Sequence, residues 1–517
     1  MIDYILLNLF FIVALIYISY KCRHGYHMLQ LESYKNKRFL KWMKNNKTIL
    51  YREIILLIFM IISIFYKNIG LILSIIWILI LIAFRAKYTE KKPLVITARI
   101  KRMYFTEKLI LLIVIILANI LKNIYLTIFF DIVIVFTYIY VLFINIINSP
   151  IEKIIQYKFY NKAKKKLREN SNLKVIGITG SYGKTSTKYI LGTILSQKYN
   201  TLITPESYNT TMGVVRTINE KLNNTHEIFV CEMGAKNIGD IKEICDLVKP
   251  TYGVLTAIGP QHLETFKTIE NVKKTKLELI DSLPEDGIAF VNNEDENIKT
   301  IKFNGKNIKF GKDKICDYYA DNIEINEFGS NFDVNIKRNK IIHVKTKLLG
   351  IHNIINIVGA VAVAHELGLN EEEIVRGIRL LKPVTHRLEL KRNPNGAIII
   401  DDAYNSNVKG AKTALEVLKT FKDKQKILIT PGIVDLGEKA EEYNKILGKQ
   451  AAKSCNYIIL VGEKQAVPIL QGIKEEKYDE NNIYVAKDLN DAIKKMNSIM
   501  NNNTVVLFEN DLPDNYL

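Results

Sequence analysis

The sequence predicts an α/β chain in which N-terminal transmembrane helices precede a P-loop-type parallel-sheet domain and a C-terminal Rossmann-like α/β domain. Three observations predict it: a series of apolar runs in the first third, an apolar strand breaking into a glycine turn at "VIGITGSYGKTSTK" (residues 175–188), and two later stretches where apolar strands alternate with helical segments. At 517 residues the chain exceeds one ordinary core, in keeping with several domains.

The apolar runs are Tyr4–Tyr20, Ile54–Tyr66, Gly70–Phe84, Leu109–Leu121 and Ile124–Ile147. Soluble helices seldom come in such a series without an amphipathic face, so about five membrane helices are expected within residues 1–150. Two pairs of runs are short enough to be re-entrant hairpins instead. Tyr20-Lys21-Cys22 lacks the small-residue pattern of a cleavable leader, and further spans follow it. The segments Lys21–Arg52, Arg85–Lys108 and Lys153–Arg168 are rich in lysine and arginine, and five crossings put all three on one side. The positive-inside rule then makes this a multi-pass plasma-membrane protein with its N-terminus outside, a basic juxtamembrane linker at 151–170, and the remainder in the cytoplasm.

The formal net charge of +19 is accounted for by anionic membrane lipids and not by nucleic acid, because much of the excess flanks the apolar runs. Cys22, Cys231, Cys245, Cys316 and Cys455 form no C-x-x-C pair and fit reduced cytoplasmic thiols. Asp131 lies inside the last apolar run, either as a functional intramembrane carboxylate or as a residue near a helix end reaching the interface. The echo between "IFYKNIGLIL" at Lys67 and "NILKNIYLTI" at Lys122 fits a duplicated hairpin, or simply a chain rich in Lys, Ile and Asn.

The general P-loop pattern has four residues between its first glycine and the Gly-Lys pair. Here only two, Ser181 and Tyr182, separate Gly180 from Gly183-Lys184. The physical parts are nevertheless present. Val175–Thr179 reads as a buried strand, the glycines free the turn, and a helix opening at Thr185 turns its amides toward an anion. Lys184 would meet terminal phosphates and the Thr185 hydroxyl would sit on Mg2+.

Beyond it, "NTLIT", "EIFVCEMG" and "YGVLTAIG" alternate with helical stretches, and a second series runs from "AIIIDDAY" through "KILITPG", "YIILVGE" and "NIYVAKD" to "TVVLFEND". These are two parallel-sheet domains, 171–383 and 384–517, meeting near Leu381–Arg387. Glu232 ends one strand and His262 follows another; strand ends form the ligand crevice of such sheets, where a carboxylate and an imidazole could hold Mg2+.

Thr179-Gly180-Ser181-Tyr182-Gly183-Lys184-Thr185-Ser186 resembles the shortened ATP loop of the Mur ligase family, whose members add amino acids or peptides to a carboxylate in cell-wall assembly. "CEMGAKNIGDI", "IGPQHLETF", "TKLELI", "GIHNIINIVGAVAVA", "THRLEL" and "IIIDDAYNSN" resemble the family's further motifs in the right order, so the resemblance covers roughly residues 170–465. It implies an ATP-dependent, ADP-forming peptide ligase. Gly180, Ser181, Gly183, Lys184, Thr185 and Ser186 would cradle the phosphates, with Thr185 and Glu232 on a first Mg2+. Lys276 would match a lysine that the family carbamylates, ligating a second Mg2+ with His262. Asn292 and Asn353 would contact the nucleotide, while Arg387 and Asp402 would arrive from the C-terminal domain on closure; His352, Asn356 and Asn405 belong to the same motifs.

The partners implied are a cell-wall precursor, UDP- or lipid-linked, and an amino acid or dipeptide. The departures are equally plain. Membrane runs replace the family's UDP-sugar domain, Ala257 stands where Asn is usual, His386 for a glycine and Val408 for a proline. Of "ITPGIVDLGE" only Leu-Gly-Glu is retained, and the closing "FENDLPDNYL" lacks a Lys-Gly-Ser. Three readings follow: a membrane-anchored ligase for a peptidoglycan precursor, a ligase of the same mechanism for another polymer such as poly-γ-glutamate, and a non-catalytic nucleotide-binding scaffold. Retention of Lys184, Glu232, His262, Lys276, Arg387 and Asp402 together argues against the third.

Overall fold

A computed structural model describes residues 2–46, 53–84, 93–121, 124–326, 328–337, 340–403, 407–434 and 436–510. The chain divides into two compact units, Met1–Tyr157 and Lys158–Leu512.

The first unit is helical. Three helices are long and apolar enough to cross a membrane: Tyr4–Leu31, Ala98–Leu121 and Thr137–Glu169. Ile55–Phe65 has 11 residues and Lys67–Ala83 has 17. At about 1.5 Å per residue both fall short of the roughly 30 Å hydrocarbon core. Where about five spans are expected, three helices are long enough to cross and the other apolar helices are shorter. The two short helices pack tightly as a hairpin, since a Cβ on Gly70 would lie 2.5 Å from the Ser63 backbone. The run Ile124–Ile147 is interrupted after Val135, where the Thr137 hydroxyl donates to the Val133 and Ile134 carbonyls at 2.9 and 2.8 Å and bends the helix.

Faces are inverted relative to a soluble bundle. Ile12, Ile16, Ile61, Phe65, Leu112, Ile116, Ile139 and Phe143 are exposed, whereas Lys21, His24, Glu53, Glu107 and Asp131 are buried. The first helix runs past its apolar stretch because its polar residues find partners inside. Lys21 Nζ lies 2.9 Å from Glu53, His24 Nδ1 2.9 Å from the Tyr138 hydroxyl, and Tyr26 donates to Glu107 at 2.8 Å. Helices Ile2–Leu31, Asn36–Asn45 and Ala98–Leu121 thus occupy much of the two basic segments read as loops. Asp131 is buried in the bundle, accepting from the Ser74 hydroxyl at 3.4 Å. Lys122, Asn405 and residues 511–517 lie outside the described residues.

The second unit holds two sheets. Strands β1 (Lys174–Thr179), β2 (Thr201–Ile203), β3 (Ile228–Glu232), β4 (Tyr252–Leu255), β5 (Ile288–Asn292) and β6 (Lys306–Gly311) run parallel in the order β2-β3-β1-β4-β5-β6. Their near-continuous Val, Ile and Phe content is what burial on both faces requires. The sheet continues through β7 (Tyr318–Asn326), β8 (Gly329–Ile336) and β9 (Lys340–Thr346), with β7-β8 and β8-β9 paired antiparallel. Alternating burial along β9 shows one face packed and one exposed, so period-two patterning marks this extension.

The second sheet has the order β10-β11-β15-β12-β13-β14, from β10 (Glu389–Arg392), β11 (Ile398–Asp402), β12 (Gln425–Thr430), β13 (Tyr457–Val461), β14 (Ile483–Ala486) and β15 (Thr504–Glu509). All its pairings are parallel except the edge pair β10-β11. In the first sheet β1 sits between β3 and β4, so the chain reverses its winding there and opens a crevice at the strand ends.

Candidate active site

The loop after β1 fills that crevice. Gly180 has φ +152° and a Cβ there would lie 2.1 Å from Thr256 Oγ1; Gly183 has φ +81° and caps helix Lys184–Leu195. Both positions demand glycine, for space and for backbone conformation. The segment after β4 clamps the loop from the other side. Ser181 N–H donates to the Ala257 carbonyl at 2.7 Å, Ser181 Oγ donates to the Gly259 carbonyl at 3.0 Å, and the Tyr182 hydroxyl donates to the Pro260 carbonyl at 3.0 Å. Ala257 contributes only its carbonyl here, which is why the side-chain departure at this position leaves the loop intact.

Lys184 curls back over the loop, donating to the Gly180 carbonyl at 2.7 Å. Burial pulls its ammonium down to about 8, against Glu232 and together with Arg387. Glu232 ends β3 with its side chain 1% exposed and is heavily engaged: Thr185 Oγ1 lies 3.0 Å away, Asn209 Nδ2 2.9 Å and Lys188 Nζ 2.9 Å. Burial alone would raise its carboxyl; Lys188, then Lys184 and Asn209, hold it below the ordinary range. A hydroxyl and a carboxylate 3.0 Å apart at the mouth of a phosphate loop form the hard oxygen pair that suits Mg2+.

Lys276 is 1% exposed on helix Ile269–Leu277, and burial first, then Lys184, lowers its amine well below the usual range; Glu232 faces it among the opposing charges. His262 follows β4 and sits at φ +52° ahead of the short helix Leu263–Phe266, its carbonyl accepting from Thr265 and Phe266 at 3.0 Å each. Ser186 lies half-buried in the first helical turn. Asn292 donates to the Thr256 carbonyl at 2.7 Å, tying β5 to the clamp. Asn353 donates back to Leu349 at 2.8 Å, so on that helix it is Asn356 that faces the loop, 3.0 Å from where a Gly183 Cβ would stand. His352 is pushed down to about 4 by burial.

From the second sheet, Arg387 brings its guanidinium to 3.5 Å from Thr185 Oγ1. Asp402 ends β11 and accepts from Leu388 N–H at 3.1 Å, fixing the turn that carries Arg387. Burial raises its carboxyl to about 6, with the hydrogen bond to Glu509 on the adjacent β15 acting the other way. Lys409 reaches Asp295 of the first sheet at 3.4 Å. At Val408 the helix start is secured by Asn407, whose side chain accepts from Gly410 N–H at 2.8 Å, so a proline is dispensable there.

Lys188, Asn209 and Glu509 escaped the sequence reading. Lys188 alone carried a signal, as a lysine one turn beyond Lys184 and just ahead of the Ile and Leu residues of the same helix. Asn209 lies in a polar loop and Glu509 ends a strand like many others.

The Mur ligase middle-domain pattern matches residues 178–364, and the Mur ligase glutamate-ligase-domain pattern matches residues 386–509. UDP-N-acetylmuramoyl-tripeptide–D-alanyl-D-alanine ligase of Bacillus subtilis is 30% identical over 325 residues, 62% of this chain and 70% of that protein. The chain belongs to the Mur ligase family. It is thereby an ATP-dependent ligase. The Escherichia coli UDP-N-acetylmuramoyl-tripeptide–D-alanyl-D-alanine ligase is 29% identical over 61% of this chain and 70% of its own length. Among solved structures, MurF from Thermotoga maritima in complex with ADP superposes with a TM-score of 0.62 at 26% identity, covering 69% of this chain and 80% of that one. MurF from Acinetobacter baumannii gives 0.61 at 26% identity, covering 69% and 77%.

Proposed function

We propose that the protein is a membrane-anchored ligase that joins an amino acid or dipeptide to the carboxylate of a peptidoglycan precursor, forming ADP through an acyl phosphate. The observation that carries this reading is the convergence of Lys184, Thr185, Glu232 and Lys276 with Arg387, which reaches Thr185 at 3.5 Å from the other sheet. In the reaction a precursor carboxylate oxygen attacks the γ-phosphorus, the bond to the ADP oxygen breaks, and the amine then attacks the acyl phosphate and loses a proton as phosphate leaves. Lys184 and Arg387 offset charge on the transferring phosphoryl oxygens. Gly180, Ser181, Gly183 and Ser186 would shape the cradle, Asn292 and, once released from Leu349, Asn353 would contact the nucleotide, and Asp402 holds the Arg387 turn.

Thr185 and Glu232 would hold Mg2+, which when bound polarises the phosphoryl oxygens. Burial that lowers the Lys276 amine favours addition of its neutral form to CO2 with loss of one proton, giving a carbamate that with His262 would hold a second cation. Residues 1–150 form the membrane part, 151–170 a basic linker, 171–383 the ATP-binding domain and 384–517 the closing domain. Anionic lipids would contact the basic segments. The exposed apolar faces and three helices of spanning length support this placement.

ATP hydrolysis should be stimulated by both an acceptor carboxylate and an amine, and Lys184→Ala should lose nearly all turnover; full activity in that variant would remove the nucleotide assignment. To test the membrane part, residues 151–517 and the full chain are compared on UDP-linked and lipid-linked muramoyl peptides. Selective loss of the lipid-linked substrate in the shorter protein supports presentation at the bilayer, whereas equal handling of both reduces the helices to an anchor.

A further inference from the structure

The turn carrying Arg387 is held from both sides. His386 has φ +58° and Leu388 φ +46°, two L residues in a backbone region that favours glycine. Leu388 N–H is tied to Asp402, as described. His386 is tied by its ring, with Nδ1 2.8 Å from Asp401 Oδ2, while its N–H donates to Glu389 Oε2 at 3.3 Å. Asp401 and Asp402 are adjacent on β11, so one strand end grips the residues on both sides of Arg387.

His386, Glu389 and Asp401 bring a nitrogen and two carboxylates within 4.8 Å of one another, a spacing that suits a divalent cation. Lys391 already supplies the positive charge, however, with Nζ 2.7 Å from Asp401 and 3.1 Å from Glu389. Burial would raise the Asp401 carboxyl, and the bonds from Lys391 and His386 outweigh it and hold it below the ordinary range. The imidazole therefore meets a carboxylate that stays charged, which makes the contact a tether.

We propose that His386 is a positioning residue for the ligase reaction: its ring, bound to Asp401, locks the left-handed turn that aims Arg387 at the phosphate loop. The proposal rests on the reading of Arg387 as a phosphate-site group. A glycine at 386 would adopt the same φ without strain, yet would leave the turn free to swing and Arg387 with it. The ring gives up freedom of the turn in exchange for a preset guanidinium.

The test is a double-mutant cycle on the full chain in detergent, reading affinity for the fluorescent analogue TNP-ATP with Mg2+, with thermal melting as the check on folding. His386→Gly should weaken binding about fivefold, the scale of one lost hydrogen bond. Arg387→Ala should weaken it too, and His386→Gly added to Arg387→Ala should cost nothing further. Wild-type affinity in His386→Gly, or the same loss in both backgrounds, overturns the positioning role. Wild-type affinity in Arg387→Ala instead overturns the reading of Arg387 itself. A melting temperature raised by Zn2+ in the wild type and not in His386→Gly would show a metal site in place of the tether.

Discussion

Replacing Lys188 by methionine separates the stability of the site from its chemistry. The Lys188 and Glu232 side chains are 0% and 1% exposed and lie 2.9 Å apart, so the variant strands a carboxylate inside the protein. Breaking such a pair typically costs about 3–5 kcal/mol. Thr185 and Asn209 still donate to Glu232 at 3.0 and 2.9 Å, and Lys184 contributes at longer range, which favours the lower end of that range. At 2–4 °C per kcal/mol, a loss of about 3 kcal/mol should make the second unit melt roughly 6–12 °C lower. Both tryptophans, Trp42 and Trp77, belong to the first unit, so the transition should be followed by calorimetry and not by intrinsic fluorescence. Lys188→Met with Glu232→Gln should recover most of the loss, because no charge is left unpaired. Mg2+ with ADP should narrow the gap for the single variant only, by bringing a cation to Glu232. A single variant melting within 1 °C of wild type, or a double variant no more stable than the single, would refute the argument.

Lys276→Ala should lose most turnover and regain part of it when formate or acetate is supplied, as measured by phosphate release; wild-type turnover without any added carboxylate would exclude the carbamate. Because the Lys184 ammonium is lowered to about 8, nucleotide affinity should fall as pH rises from 7 to 9 in titrations of the empty enzyme, and an affinity flat across that range would contradict the shift. Asp402 bears on stability instead of affinity. Its folded value of about 6 lies above the ordinary 3.8, so its contribution is full below about pH 4 and lost as pH rises through 6, a swing of roughly 2–3 kcal/mol. Asp402→Asn should therefore raise the melting temperature at pH 8 relative to wild type and not at pH 4; an equal effect at both would refute the shift.

The phosphate loop was legible because backbone requirements are local: an apolar strand, two glycines and a lysine suffice to specify the turn. The strand ends at Glu232, Asn292 and Asp402 were legible for a similar reason, since buried Ile and Val runs announce where each strand stops. Lys188 was not, because its role depends on which carboxylate the fold places opposite it. The antiparallel strands β7–β9 went unread through their mixed composition: "YYADNIEIN" alternates, but its polar positions suppress any apolar run. Hydropathy likewise stopped the first apolar helix at Tyr20, although Lys21, His24 and Tyr26 continue it by pairing with Glu53, Tyr138 and Glu107. A windowed average registers the polar groups and cannot register their partners.

The proposed sidedness depends on parity and not on the exact number of spans. Ile55–Phe65 and Lys67–Ala83 form a hairpin, and a hairpin either crosses twice or returns to the side it entered from. Counting both helices gives five crossings and omitting both gives three. Each number is odd. In a membrane the basic segments on either side of the hairpin would therefore stay on the same face, and Lys153–Arg168 would join them after the last crossing. Only one short helix crossing without the other would place like-charged segments on opposite sides, against the positive-inside rule. Accessibility of single cysteines introduced at positions 37, 101 and 165 in a cysteine-free background should therefore be identical from the cytoplasmic side, and labelling of any one of them from outside intact cells would break the topology.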